Sequence, residues 1–252
     1  MAKNIIGIGS LLIVAVAGVV VFLDSGKENA AQSSNVVESN VKKTKKVEEK
    51  YPEGKLSDWN LVLVNYQNKI KDENPPLEDL GNGYSVDKRI VKPYEELANA
   101  AEKAGFPLQM VSGFRSISEQ EGLINENIAQ NEAQGMTYEE AKEATMKLMT
   151  PPGYGEHNTG LAVDVVGSDY YNEQIDDLLN EVYANDPSAK WLAENAPKYG
   201  FILRYPKGKE KITNIDFEPW HFRYVGVATA EYITQYQLTL EEYTKLLEKA
   251  GR

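Results

Sequence analysis

Apolar and polar positions divide the chain into three textures. Residues 5–23, IIGIGSLLIVAVAGVVVFL, form an uncharged and mostly apolar run. As a helix this run would span roughly 28 Å, close to the ~30 Å hydrocarbon core of a bilayer. It predicts an N-terminal membrane-spanning helix within residues 1–23. A cleaved signal is the alternative, but such signals have a shorter apolar core of about 7–15 residues, closed by small residues. The Ala-x-Ala at Ala15–Ala17 would leave Val19, Val20, Val21 and Phe22 on the new terminus. Either way the chain beyond residue 24 is exported, with Lys3 left inside. Residues 24–57 read as a flexible tether, with no sustained apolar period and no aromatic residue before Tyr51.

From residue 58 to 252 the pattern is that of a folded domain. LVLVN (61–65), LQMVS (108–112), LAVDVV (161–166), FILRY (201–205) and WHFRYV (220–225) are short apolar runs that predict strands. A helix is expected over 93–104, where Leu97, Ala100, Ala101 and Ala104 share a face and Gly105 stops it. Three capping boxes open further helices: Ser116 with Glu119 (to Ile128), Thr137 with Glu140 (to Met149), and Thr239 with Glu242 (to Ala250). A short helix carries Trp191 and Leu192. TPPGYGEHNTG (150–160) holds too much Pro and Gly for regular structure. Helices and short strands mix without a βαβ beat, which predicts an α+β fold.

Charge and cysteine content narrow the chemistry. The net charge is -11, and it is uneven: the first 50 residues carry +2 and the rest -13. An acidic domain of this kind argues against nucleic acid as a partner. The KKTKK cluster at 42–46 reads as part of a solvated linker. With no cysteine, disulfides, thiolate metal sites and Cys nucleophiles are excluded, and any imidazole chemistry must use His157 or His221.

Both histidines stand beside carboxylates. Gly155-Glu156-His157-Asn158-Thr159-Gly160-Leu161-Ala162-Val163-Asp164 places a His at the end of a loop and an Asp in the apolar strand that follows. Gly160 supplies a bend that could bring the two together. Glu218-Pro219-Trp220-His221 places a Glu three residues before the second His, and Ser112-Gly113-Phe114-Arg115-Ser116 adds a cation, with Gln120 one turn later. Taken singly, each has a structural explanation: a satisfied core His, an Asp paired with Arg, an Arg in an ion pair. Together they suggest a catalytic metal with three protein ligands and a nearby glutamate acting as base.

The segments SGFRS, GEHNTGLAVD and EPWHFRYVG resemble those of the VanY-type D-alanyl-D-alanine carboxypeptidases, zinc peptidases of bacterial cell walls that include L,D-carboxypeptidases. The likeness runs from about Asp58 to Glu242 and includes SVDKRI and WLAENAPKYGFILRYP. It implies a small α+β zinc D,D-peptidase-like fold with a central antiparallel sheet flanked by helices. It also implies Zn2+ held by His157, Asp164 and His221, with Glu218 as base. Arg115 would face the substrate carboxylate or the oxyanion, and Gln120 and Tyr154 would line the substrate site. The family pattern S-x-H-x-x-G-x-A-x-D is broken at its first position, where this chain has Gly155, and neighbouring Tyr154 is the candidate to stand in for the missing hydroxyl.

The implied activity is removal of the C-terminal D-Ala from peptidoglycan stem peptides. L,D-cleavage of tetrapeptide stems is the alternative, and a non-catalytic wall-binding module is disfavoured by the intact ligands and base. The implied setting is a monomer, single-pass in the cell membrane with the catalytic domain outside, or secreted if the signal is cleaved. Removing residues 1–50 is expected to leave a soluble, folded, zinc-binding domain, since the core pattern begins near Trp59. Gel filtration and metal analysis of that fragment check this; aggregation or loss of zinc would contradict it.

Overall fold

Short, largely apolar strands form the sheet at the centre of this computed structural model, which describes residues 54–174 and 178–252. Four strands, β3 (Leu108–Ser112), β4 (Ala162–Gly167), β5 (Phe201–Leu203) and β6 (His221–Tyr224), lie in the order β3-β4-β6-β5. Every neighbouring pair is antiparallel. A separate hairpin pairs β1 (Leu77–Asp79) with β2 (Ser85–Asp87). The helices are α1 (Val91–Lys103), α2 (Ile117–Ala133), α3 (Tyr138–Leu148), α4 (Ser168–Glu173), α5 (Pro187–Asn195), α6 (Glu210–Thr213), α7 (Val227–Gln235) and α8 (Leu240–Lys249).

One face of the sheet is hydrocarbon. Met110 of β3, Val163 and Val165 of β4, Phe201 of β5 and Phe222 of β6 are fully buried there, against Val86, Ile90 and Leu97 around α1. Fully burying such side chains contributes about 1.5–3 kcal/mol each. A second cluster joins Leu61, Ile202 and Val225 to Ile233 of α7 and to Leu240, Tyr243 and Leu247 of α8. Because successive strand residues face opposite ways, burying Val163, Val165 and Phe222 turns Asp164, His221 and Arg223 to the other face. The register pairs Asp164 with His221, Ala162 with Arg223 and, across a bulge in β3, Ser112 with Asp164. The chemistry of the protein lies on that face.

All three capping boxes form, each with its Ser or Thr hydroxyl bound to the third backbone N–H and its Glu bound back. The helix opened by Ser116 runs past Ile128 to Ala133. Other expectations need correction. Residues 61–65 are not a strand; their only bridge joins Asn65 to Asn68. Leu61 and Val64 are buried by side chain alone, and the carbonyls of Asn60 and Val62 accept from the Arg223 guanidinium instead of a sheet neighbour. The strand expected over 201–205 ends at Leu203, and α7 was not foreseen because only Thr229, Ala230 and Ile233 mark its inner face. The membrane segment and nearly all of the tether lie outside the described residues. Among the described residues no helix is long and apolar enough to cross a membrane.

Candidate metal centre

Local structure brings the two histidines together from opposite directions. The loop after α3 ends in a single 3-10 turn, Glu156–Thr159, which closes at Gly160 with φ 70°. A side chain at Gly160 would also press on the Asp87 backbone N at 2.8 Å, so glycine is needed there twice over. The turn delivers His157 to the start of β4, and β4 carries Asp164 beside His221 of β6. His157 Nδ1 lies 2.7 Å from the Gly113 carbonyl. That contact places the Nδ1 proton on the carbonyl and leaves Nε2 free to face Asp164 Oδ2 at 3.1 Å. His221 approaches with its other nitrogen: Nδ1 stands 3.1 Å from Asp164 Oδ1 and 3.4 Å from Glu218 Oε2.

The three donors fit a metal ion. One ligand atom each from His157, Asp164 and His221 fall within 4.8 Å of one another, and all three residues are buried. Ligands of a tetrahedral zinc at 2.0–2.1 Å are about 3.3 Å apart, near the two 3.1 Å separations found here. Asp164 Oδ1 is buried without a hydrogen-bond partner, a costly state for a carboxylate that a cation would relieve. Two imidazoles and one carboxylate, with no thiolate, suit zinc at a catalytic site.

The charges around the cluster are strongly perturbed. Burial alone would lift the Asp164 carboxyl, but His157 and His221 hold it well below the usual carboxylate range. Burial depresses the His157 imidazole. It would depress His221 too, yet the Asp164 charge outweighs it and pushes that ring up to about 9. Burial pushes the Glu218 carboxyl up to about 8, and the charge of Asp164 adds to the shift. A carboxyl poised near neutrality beside a metal cluster is suited to proton transfer.

The remaining candidates divide. Arg115 reaches the same cavity, of about 220 Å³, with its Nη1 on Gln120 Oε1 at 2.7 Å and its Nη2 on Ser112 Oγ at 2.9 Å. Gln120 is buried and lines the cavity, and its amide also donates to the Thr150 carbonyl. Tyr154 sits half-buried in the turn after α3 and is not among the residues lining the cavity. The Thr150 hydroxyl lies close to the missing one: its Oγ1 is 3.0 Å from the point a Cβ at Gly155 would occupy.

Sequence reasoning missed an ion network directly behind the cluster. Glu156 Oε1 accepts from Arg204 Nε and from Arg223 Nη1, both at 2.7 Å, and the two nitrogens of Arg204's fork reach Glu241 at 3.0 and 2.6 Å. Both arginines are wholly buried. The signal was present, since an Arg inside each of the apolar runs FILRY and WHFRYV requires a buried carboxylate partner.

An aspartate and a histidine on an antiparallel sheet, joined at one point by a histidine from the adjoining turn and flanked by a protonatable glutamate, are the donor set of a metal-dependent hydrolase. Residues 83–227 match the family model described as VanY, D-alanyl-D-alanine carboxypeptidase. The chain is 38% identical over 192 residues to a D-alanyl-D-alanine carboxypeptidase of Enterococcus faecalis, covering 76% of this chain and 68% of the relative. Among solved structures it resembles VanYB in complex with D-alanine-D-alanine (TM-score 0.65, 38% identity, 75% of this chain and 98% of that one). It also resembles a mutant of the vancomycin-resistance D,D-pentapeptidase VanY from a VanB-type cassette in complex with Zn(II) (TM-score 0.65, 37% identity, 74% and 99%). The chain belongs to the VanY D-alanyl-D-alanine carboxypeptidase family.

A test follows from the two raised groups. The unfolded chain releases these protons near 4.5 and 6.5, whereas the folded site holds them to about 8 and 9. Their contribution to stability is therefore complete below the unfolded values and is lost as pH rises through the folded ones. Zinc displaces such protons, so its binding tightens by about tenfold per pH unit for each one displaced. In thermal melts of chelator-stripped protein, Tm should fall between pH 7 and 9, while the gap to the zinc-loaded protein widens. A flat Tm with a constant gap would contradict this electrostatic assignment.

Proposed function

We propose that this chain is a zinc-dependent carboxypeptidase that removes the terminal D-alanine from peptidoglycan stem peptides ending in D-Ala-D-Ala. The observation that carries the proposal is the His157–Asp164–His221 cluster with Glu218 Oε2 3.4 Å from His221 Nδ1, in a chain of the VanY family. D,D-cleavage is preferred over L,D-cleavage because the relatives at 38% identity are a D-alanyl-D-alanine carboxypeptidase and a protein holding D-alanine-D-alanine.

The proposed ligands are His157 Nε2, Asp164 and His221 Nδ1. Zinc bound there would supply Lewis acidity, acidifying water towards a pKa of about 7 and polarising the scissile carbonyl. Glu218, whose Oε2 stands 3.4 Å from His221 Nδ1, takes the proton of the attacking water and gives it to the departing amine of D-alanine as the C–N bond breaks. Arg115 offers a planar, permanently charged fork to the substrate's terminal carboxylate or to the oxyanion. Gln120, with both ends of its amide engaged, serves to brace Arg115. The apolar N-terminal segment is proposed to hold the enzyme, as a monomer, on the outer face of the cell membrane, within reach of the wall.

Two substitutions three residues apart test these roles. His221→Ala removes a ligand, so zinc content and turnover should both collapse. Glu218→Ala should keep close to one zinc while turnover falls roughly 10²-fold to 10⁴-fold, the usual size of a general acid-base contribution. Glu218→Gln should fail similarly, since an amide cannot accept the proton. Metal analysis beside steady-state kinetics reads the outcome. A Glu218→Ala protein with normal turnover, or one that loses its metal while His221→Ala keeps it, would refute the assignment.

A further inference from the structure

The two histidines are held in opposite senses, and for His221 the holding group has no assigned role. His157 is fixed through Nδ1 on the Gly113 carbonyl and aims Nε2 into the cluster. His221 aims Nδ1 into the cluster, so its proton must sit on Nε2 whenever Nδ1 uses its lone pair on a metal. Nε2 lies 3.7 Å from Glu156 Oε2, and these two atoms are both buried without any hydrogen-bond partner. Each is thus an orphan facing a group able to satisfy it: an acceptor opposite a donor. The other oxygen of Glu156 is fastened by Arg204 and Arg223, which fix the carboxylate so that Oε2 stays aimed at the ring. The Tyr205 ring, 4.8 Å from the imidazole, limits its rotation.

We infer that Glu156 is a positioning residue for the metal centre: its Oε2 accepts the Nε2 proton of His221 and so presents the Nδ1 lone pair to the ion. This rests on the zinc reading above and adds to it a role for a residue outside the proposed ligand set. The arginine pair matters for the same reason. It engages one oxygen only, and the second is left for imidazole. Replacing Glu156 by Gln would turn the amide oxygen to the arginines and its NH2 towards Nε2. Donor would then meet donor, and the ring would be driven to the tautomer with the proton on Nδ1, which blocks the ligand atom.

The test uses the full-length protein. With only two histidines, ¹⁵N-histidine NMR of the zinc-loaded wild type should show two rings of opposite tautomer, His157 protonated at Nδ1 and His221 at Nε2. In chelator competition, Glu156→Gln and Glu156→Ala should bind zinc about 10-fold to 100-fold more weakly, the usual cost of losing such an orienting partner. Glu241→Gln removes a carboxylate from the same Arg204 without touching His221; it should lower Tm and leave zinc affinity unchanged. Equal weakening by Glu241→Gln would mean that Glu156 acts only through the ion network, and wild-type affinity in Glu156→Gln would remove the role altogether. If the Glu156 variants do not fold, the wild-type tautomers decide: a His221 protonated at Nδ1 overturns the inference. A wild-type chain that binds no zinc would sink the metal reading and this one together, an outcome distinct from a zinc-bound chain with the wrong tautomer.

Discussion

The carboxylate of Glu156, bridging Arg204 and Arg223, is the interaction on which the architecture of the site depends. Two guanidinium groups with no exposed surface would be prohibitive inside a protein unless opposite charge met them. Glu156 and Glu241 bring two negative charges to the two positive ones, and the carbonyls of Asn60, Val62 and Tyr224 take further donors of Arg223. The network draws on the 3-10 turn before β4, on β6, on the residue following β5, and on α8. It thereby ties the segment that carries His157 to the strand that carries His221. Burial would raise the Glu156 carboxyl, but Arg204 and Arg223 hold it well below its usual range, so it stays an anion and an acceptor.

That scaffold leaves the metal cluster with its own charge balance. Sheet register sets Asp164 opposite His221, and the αL turn at Gly160 brings His157 over the same carboxylate. Glu218 hangs from the loop before β6, where its backbone N–H binds the Tyr205 carbonyl at 3.2 Å and its carboxyl is buried. Arg115 faces the cavity from the end of β3, held by Ser112 of the same strand and by Gln120 of α2. Anionic site, buried acid and braced cation thus come from different elements, and each is fixed by partners outside the reacting set. This is the arrangement electrostatic catalysis requires, since groups already oriented need not reorganise during reaction.

Much of this was legible in the sequence, and the reasons differ by element. The capping boxes at Ser116, Thr137 and Thr239 are local chemistry, so reading them required no tertiary knowledge. Four of the five expected strands form where short apolar runs are bounded by turns, whereas 61–65 has the same apolar texture but the Val62 carbonyl accepts from Arg223. His157, Asp164, Glu218 and His221 stood out because two histidines and no cysteine leave few ways to build a site. The approach of the Thr150 hydroxyl to Gly155 was hidden, because it depends on a loop closing on itself. Tyr154 was expected to line the site from the family resemblance and to replace the missing hydroxyl as its neighbour in sequence, and adjacency along an irregular loop does not set direction. Glu156 was invisible for a related reason: its partners lie 48, 67 and 65 residues away, a pairing that only the folded sheet creates.

The central claim is that this cluster hydrolyses a peptide bond before a terminal D-alanine with zinc in place. Mass spectrometry of a synthetic stem pentapeptide ending in D-Ala-D-Ala, incubated with the zinc-loaded protein, tests it most directly. The proposed chemistry requires loss of a single alanine, stopped by a chelator and restored by added zinc. Persistence of the intact pentapeptide in the presence of a fully zinc-loaded, folded protein, or release of alanine that a chelator does not stop, would contradict it.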